Sequence, residues 1–354
     1  MDAIKYLALD LHIATITFVL MSAAGRVLQQ GCIPTSALEI RKLIKGIRGQ
    51  LHVTYEEGTL SQWAYELIQP LVERVIVCNP RRNRLLEEGS KGDKIDAQRL
   101  ADLFRTGMLK SVYHGQGGSR ALKELVGFYV GIVSDTTRVM SRLKAVYRSR
   151  GIKTGQRAVY SQKNRQEWLS KLDRAEKRQR AEWLYVQLEQ LMALRREAKK
   201  NMLRAARVEG AYRILMSIPG LGPIRVAMLL AIIVTPHRFR SKRQFWKYCG
   251  LSVITRTSSD YEFIHGRQRK VLRRTDTRGL TSDFNHLLKY VLKGAATEAI
   301  RTEPFRTFYR IRIDKGIAPE LARLTVARKI AALIICLWKQ GVMFDAKVML
   351  NLAA

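Results

Sequence analysis

The first third of the chain alternates short apolar runs with turn residues. Tyr6–His12, Thr15–Leu20 and Gly25–Gln30 are spaced as three successive strands. Ser36 stands where a side-chain oxygen can cap a helix, and the pattern carries that helix to Ile47. Leu51–Glu56 reads as a fourth strand, and Ser61–Leu71 as an amphipathic helix with Trp63 and Leu67 on one side. Val75–Cys78 is continuously apolar, which predicts a strand buried on both faces. It runs into the turn Asn79-Pro80-Arg81-Arg82, which exposes basic residues. A helix over Asp93–Phe104 and a last edge strand at Ser111–His114 follow. Strands alternating with helices after a three-strand meander predict an α/β domain with a mixed sheet over residues 1–119.

From Arg120 the period becomes helical. Residues 120–150 contain no proline, 151–165 read as a polar loop or hinge, and 166–208 are helical again. Leu184, Leu188, Leu191 and Ala198 recur at roughly heptad spacing, so 120–208 reads as a coiled-coil arm. A third segment, 209–354, is mainly helical. It opens with Ile218-Pro219-Gly220-Leu221-Gly222-Pro223 between two helices, the pattern of a helix-hairpin-helix. Glycines at Gly220 and Gly222 permit close backbone approach, and the N–H groups of the following helix can hold a phosphate. Phe245–Leu251 reads as a packing segment, Ser252–Lys270 as a polar exposed loop, and Phe284–Val348 as largely helical.

Charge changes the picture most. Among 354 residues, 63 Lys+Arg stand against 30 Asp+Glu, a net +33, and residues 142–208 alone hold 19 basic against 6 acidic residues. Such a field selects polyanions, nucleic acid first. Arg81, Arg82, Arg256, Arg267, Arg269, Lys270, Arg273 and Arg274 are candidate phosphate contacts, with Gly220 and Gly222. The four cysteines are far apart and suit a reducing compartment rather than a disulfide framework or a zinc site. The longest apolar runs, Val226–Val234 and Ile330–Trp338, are about half of what a membrane span needs. A cytoplasmic, bacterial protein without a membrane partner is expected.

Candidate chemistry rests on acids. An Asp inside an apolar strand needs something to offset its desolvation, and a divalent cation does so if other carboxylates converge on it. Asp10 lies in the first strand, Glu56 ends the fourth, and Asp93 and Asp96, three apart, share one face of a helix. That order is the layout of an RNase H-like, RuvC-type metal nuclease. Ser258 and Ser259 beside Arg256 could supply a nucleophile, but on the residues alone an ordinary Ser/Thr loop is the preferred reading.

These motifs together resemble the insertion-sequence one-hundred-and-ten family, DEDD transposases also described as bridge-RNA-guided recombinases. The resemblance runs through Ala8-Leu9-Asp10, Tyr55-Glu56-Glu57-Gly58-Thr59, Val77-Cys78-Asn79-Pro80-Arg81, Asp93-Lys94-Ile95-Asp96-Ala97 and Leu100-Ala101. It continues in Ile218–Pro223, Arg238-Phe239, Tyr248-Cys249-Gly250-Leu251 and Thr257-Ser258. It implies a RuvC-like domain whose Asp10, Glu56, Asp93 and Asp96 bind Mg²⁺ (or Mn²⁺). It also implies a C-terminal transposase domain whose serine, Ser258 by position, becomes joined to a DNA 5′ phosphate. Val253 stands where the family often has proline, and Ser259 where it often has glycine, which leaves Ser259 and Glu57 as fallbacks for Ser258 and Glu56. Donor and target DNA, a non-coding guide RNA, and dimers pairing into a tetramer are the partners the resemblance implies. Two other functions fit parts of the pattern. A RuvC-like structure-selective nuclease would need the acids but no serine, and a non-catalytic nucleic-acid scaffold would leave the acids unexplained.

Overall fold

The computed structural model describes residues 4–80, 92–114, 120–155, 157–256, 259–264, 266–272 and 276–346. The chain divides into two compact units, Met1–Gln116 and Gly117–Ala354.

The first unit is built on a five-stranded sheet in the order β3-β2-β1-β4-β5. The strands are β1 (Lys5–Leu11), β2 (Thr15–Ser22), β3 (Val27–Pro34), β4 (Leu51–Glu56) and β5 (Arg74–Cys78). β1, β2 and β3 run antiparallel as a meander, while β4 and β5 continue from β1 in parallel. Alternation along β1 assigns its two faces. Leu7 and Leu9 pack with the helices α1 (Ala37–Lys45) and α2 (Ser61–Ile68), whereas Ala8 faces α3 (Asp93–Arg105). Ser36 caps α1 as its position suggests, accepting a hydrogen bond from the Glu39 N–H.

Three expectations fail here. β5 is an edge strand, and only its last two residues, Val77 and Cys78, are buried, one on each face. A continuous apolar run does not distinguish a central strand from an edge strand whose end is covered. The second concerns Trp63, which is 37% exposed while Leu67 is buried, because Ala64, Leu67 and Ile68 form the inward stripe of α2. Ser111 makes only a single bridge with Cys78 rather than a strand.

The second unit begins with the long helices α4 (Arg120–Arg148) and α6 (Ala175–Arg207), with the short α5 (Arg165–Ser170) between them. α4 and α6 lie antiparallel. Val139, Leu143 and Tyr147 at the end of α4 share a core with Ala181, Leu184, Tyr185 and Leu188 at the start of α6. At the other end Leu122, Val126 and Tyr129 meet Ala198, Met202 and Ala206. The heptad-like spacing of α6 is therefore filled by α4 of the same chain. The second of these contacts is continuous with the core of α7 (Tyr212–Met216), α8 (Pro223–Ile233), α9 (Lys242–Tyr248), α10 (His286–Ala299), α11 (Phe305–Asp314) and α12 (Pro319–Gln340). α8 is apolar all round and buried along most of its length, so it forms the centre.

The stretch expected to be a polar loop is strand instead. β6 (Val253–Arg256) pairs antiparallel with β9 (Asp276–Leu280), and β7 (Ser259–Ile264) with β8 (Arg267–Leu272). Val253, Ile254, Arg267, Gln268 and Arg269 are exposed.

Candidate active site

Backbone register places the acids of the first unit. Leu9 on β1 pairs with Tyr55 on β4, which makes Asp10 and Glu56 the next pair at the ends of two adjacent parallel strands. Both lie on the face that carries Ala8, since Leu9 and Tyr55 point into the opposite core. α3 crosses that face. Its Phe104 meets the rings of Tyr6 at 5.4 Å and His52 at 6.3 Å, near the starts of β1 and β4. Asp96 is eight residues back along α3, about 12 Å. Asp10 is four residues along β1 from Tyr6, about 13 Å. Asp93 and Asp96 lie in the first turn of α3, the helix that packs on the sheet face carrying Asp10 and Glu56.

Local interactions tune this end of the sheet. Asp10 accepts or shares a hydrogen bond with His12, Nε2 to Oδ2 3.1 Å. Thr17, opposite Asp10 on β2, is buried. Glu56 is exposed, and the N–H of the following Glu57 donates to the Cys78 carbonyl. Asp96 Oδ1 is buried and has no hydrogen-bond partner among the described residues. An orphaned carboxylate oxygen at this point suits a cation, because leaving it unmet costs about 1–3 kcal/mol or more. Oxygen donors of this kind suit a hard divalent ion. Among the described residues no three His, Cys, Asp or Glu side chains stand close enough together to hold a metal.

His12 was not singled out in the sequence. The available signal was its spacing: two residues beyond Asp10 on an extended segment, it projects to the same side.

In the second unit Gly220 takes a left-handed φ of 86°. A Cβ there would overlap the Ala295 carbonyl oxygen of α10 and come 3.0 Å from the Ala299 Cβ. Its glycine is thus required by helix packing. Gly222 has open space around it and caps α8 with extended backbone, so packing does not require its glycine. The Tyr248–Leu251 motif is structural in the same way. Cys249 is buried and burial pushes its thiol up, which keeps it protonated and unreactive. Gly250, φ 67°, lies against the Phe284 ring. The Arg238 guanidinium stacks on the Phe239 and Tyr248 rings at 4.8 and 4.7 Å.

Arg256 ends β6, Ser259 opens β7, and Arg267, Arg269 and Lys270 follow one another on β8, with Arg267 and Arg269 exposed. Arg81, Arg82, Ser258, Arg273 and Arg274 lie outside the described residues. No helix among the described residues is long and apolar enough to cross a membrane.

Acids at the ends of parallel strands, in a chain of net +33, belong with nucleic-acid chemistry, and comparison with protein families makes the class definite. Residues 7–149 match the DEDD model for IS110 transposases, and residues 212–310 match the transposase IS116/IS110/IS902 family. The protein is a DNA transposase, an enzyme that cuts and rejoins DNA. Within that class the chain belongs to the IS110 family. No curated protein shows significant similarity to it. Membership carries DNA as substrate and a divalent metal as cofactor.

Proposed function

We propose that the protein is a recombinase of an insertion sequence that uses Mg²⁺, a serine–DNA covalent intermediate and a non-coding bridge RNA as guide. The observation that supports it best is that α3, whose first turn carries Asp96 with an unmet carboxylate oxygen, packs on the sheet face of Asp10 and Glu56. In this reading residues 1–119 are a RuvC-like, RNase H-like domain, 120–208 a coiled-coil arm and 209–354 the transposase domain. Asp10, Glu56, Asp93 and Asp96 hold the ion. A bound Mg²⁺ polarises the scissile phosphate and stabilises the attacking and leaving oxygens.

The chain's own groups do the rest. Ser258 Oγ forms a bond to phosphorus as the bond from phosphorus to the 3′ oxygen breaks. The serine proton is lost and the departing 3′ oxygen gains one, so no water is consumed. Attack of a different 3′ hydroxyl on the serine-linked 5′ phosphate reverses the step and joins new partners. Arg256, Arg267 and Arg269 supply guanidinium groups suited to phosphate oxygens.

The test is mass spectrometry of the full-length protein trapped on nicked DNA with its co-purified RNA. A nucleotide linked to Ser258, lost in Ser258→Ala and in Asp10→Asn while DNA binding persists, is the expected result. An adduct on Ser259 shifts the assignment by one residue. Metal-dependent cleavage with no adduct on either serine overturns the covalent mechanism in favour of a hydrolytic nuclease.

A further inference from the structure

The turn that closes α4 forms a cavity of about 420 Å³, lined by Arg148, Gly151, Ile152, Lys153, Thr154 and Gly155. The turn is tied down at several points. Ile152 packs against the core that α4 and α6 share, and its N–H donates to the Tyr147 carbonyl at 3.2 Å. Arg150 ties the turn to the segment before α6, its Nε donating to Asp173 Oδ1 at 3.0 Å. Val159, a few residues on, is buried in the same core. On the cavity wall Arg148 Nε donates to Thr154 Oγ1 at 3.0 Å. That bond orients the guanidinium and uses neither its Nη groups nor the Thr154 hydroxyl proton. Arg148, Lys153 and Gly155 are exposed, so the cavity opens to solvent.

Charge decides what such a cavity takes. Residues 136–166 hold nine Lys and Arg and no Asp or Glu. Three of the nine find carboxylates outside the stretch: Arg138 pairs with Asp135, Arg150 with Asp173 and Arg165 with Glu189. Among the described residues Arg148 and Lys153 have no carboxylate partner. The end of a helix ordinarily opposes an anion through its bare carbonyls. Here the last four carbonyls of α4 are all met. Those of Ala145 and Val146 accept from the Ser149 N–H and hydroxyl, that of Tyr147 from the N–H groups of Arg150 and Ile152, and that of Arg148 from the Gly151 N–H. What the cavity offers is therefore donors and positive charge. We infer that it binds a backbone phosphate of a nucleic acid, with Arg148 and Thr154 donating to the phosphate oxygens and Lys153 supplying a second charge. A guanidinium held in one plane matches phosphate geometry. A strand is favoured over a free anion because the chain acts on DNA and because the remaining cations of 136–166 offer contacts to neighbouring phosphates.

The experiment measures binding of the full-length protein to a short DNA duplex and to a short RNA duplex across a salt series. It compares Arg148→Gln and Lys153→Gln with Arg138→Gln, which removes the same charge from α4 but at a residue paired with Asp135. Each cavity variant should lose about 5–10-fold in affinity at about 0.1 M salt and flatten the slope of log K against log salt by about one, and the control should do neither. Loss on DNA, on RNA or on both supports the cavity and tells which strand occupies it. Thr154→Val separates an oriented site from a diffuse field, because it alters no charge. It should lose about threefold in affinity, the worth of one hydrogen bond, with the salt slope unchanged. If Thr154→Val melts lower than the wild type, Arg148→Lys makes the same comparison, since it keeps the charge and loses the planar fork. Losses in Arg148→Gln and Lys153→Gln no greater than in Arg138→Gln would overturn the inference. Wild-type affinity in both charge-preserving variants would overturn it too, leaving only a general positive field. So would stabilisation by inorganic phosphate that Arg148→Gln loses while its nucleic-acid binding is unchanged, since the cavity would then hold a free anion.

Discussion

At the scale of the residue, Gly220 shows how a motif can be right in place and different in cause. The Gly-x-Gly pattern invites a phosphate, but Gly220 is where α10 comes closest, with its backbone in a conformation that L side chains avoid. Gly220→Ala should therefore destabilise the second unit by about 2–4 kcal/mol, combining left-handed strain with overpacking. Gly222→Ala, with open space and an ordinary φ, should cost far less. Thermal melts of the two variants test this, and equal losses would mean that α10 yields to the added methyl. Asp96 is the converse case. It sits on a helix face otherwise occupied by Ala97, Leu100 and Ala101 of the core, and one oxygen is left unmet among the described residues. The proposed ion would meet that oxygen.

At the scale of the element, the arm illustrates a polar device inside an apolar seam. Tyr185 of α6 donates its hydroxyl proton to the Val159 carbonyl at 2.9 Å, so the 3.1 Å contact with Tyr147 of α4 must be donated by Tyr147. The two substitutions are consequently unequal. Tyr147→Phe removes one bond and leaves Tyr185 bonded to Val159, at about 1 kcal/mol. Tyr185→Phe strands both the Tyr147 hydroxyl and the Val159 carbonyl, at about 2–3 kcal/mol. Amide hydrogen exchange over the peptides covering 140–190 should report the difference as faster exchange in Tyr185→Phe. Equal exchange in the two would show that water replaces the lost partners. What the sequence made legible follows the same division between local and distant causes. β1, β2, β4, α1 and α3 were readable because alternation, a Ser cap and helical period are properties of neighbouring residues. The edge position of β5 depends on what lies beside it, which its own residues do not record. That Asp10 and Glu56 stand side by side could be read, since parallel register carries the ends of β1 and β4 to one level.

At the scale of the whole molecule, the surplus of 33 positive charges is the dominant electrostatic fact. Two effects of salt on stability oppose each other. Screening weakens ion pairs, but those present are largely exposed partners three or four residues apart on one helix, such as Arg138 with Asp135 and Lys171 with Glu167. Each is worth about 0.3–0.5 kcal/mol. Screening also weakens the mutual repulsion of the unpaired cations, which acts over longer distances. The Debye length falls from about 30 Å at 0.01 M to about 10 Å at 0.1 M, so long-range repulsion is removed first while contacts at 3 Å are little affected. Repulsion should win. The protein freed of nucleic acid should melt several degrees higher in about 0.3 M sodium chloride than in about 0.02 M, over the same range in which its affinity for nucleic acid falls. Melting in the two salts, with nuclease-treated protein, decides the matter. A lower melting temperature at high salt would mean that the ion pairs outweigh the net charge. Opposite signs for stability and affinity would mean that the unliganded chain carries a repulsion which bound nucleic acid relieves, so that binding and folding are coupled through charge.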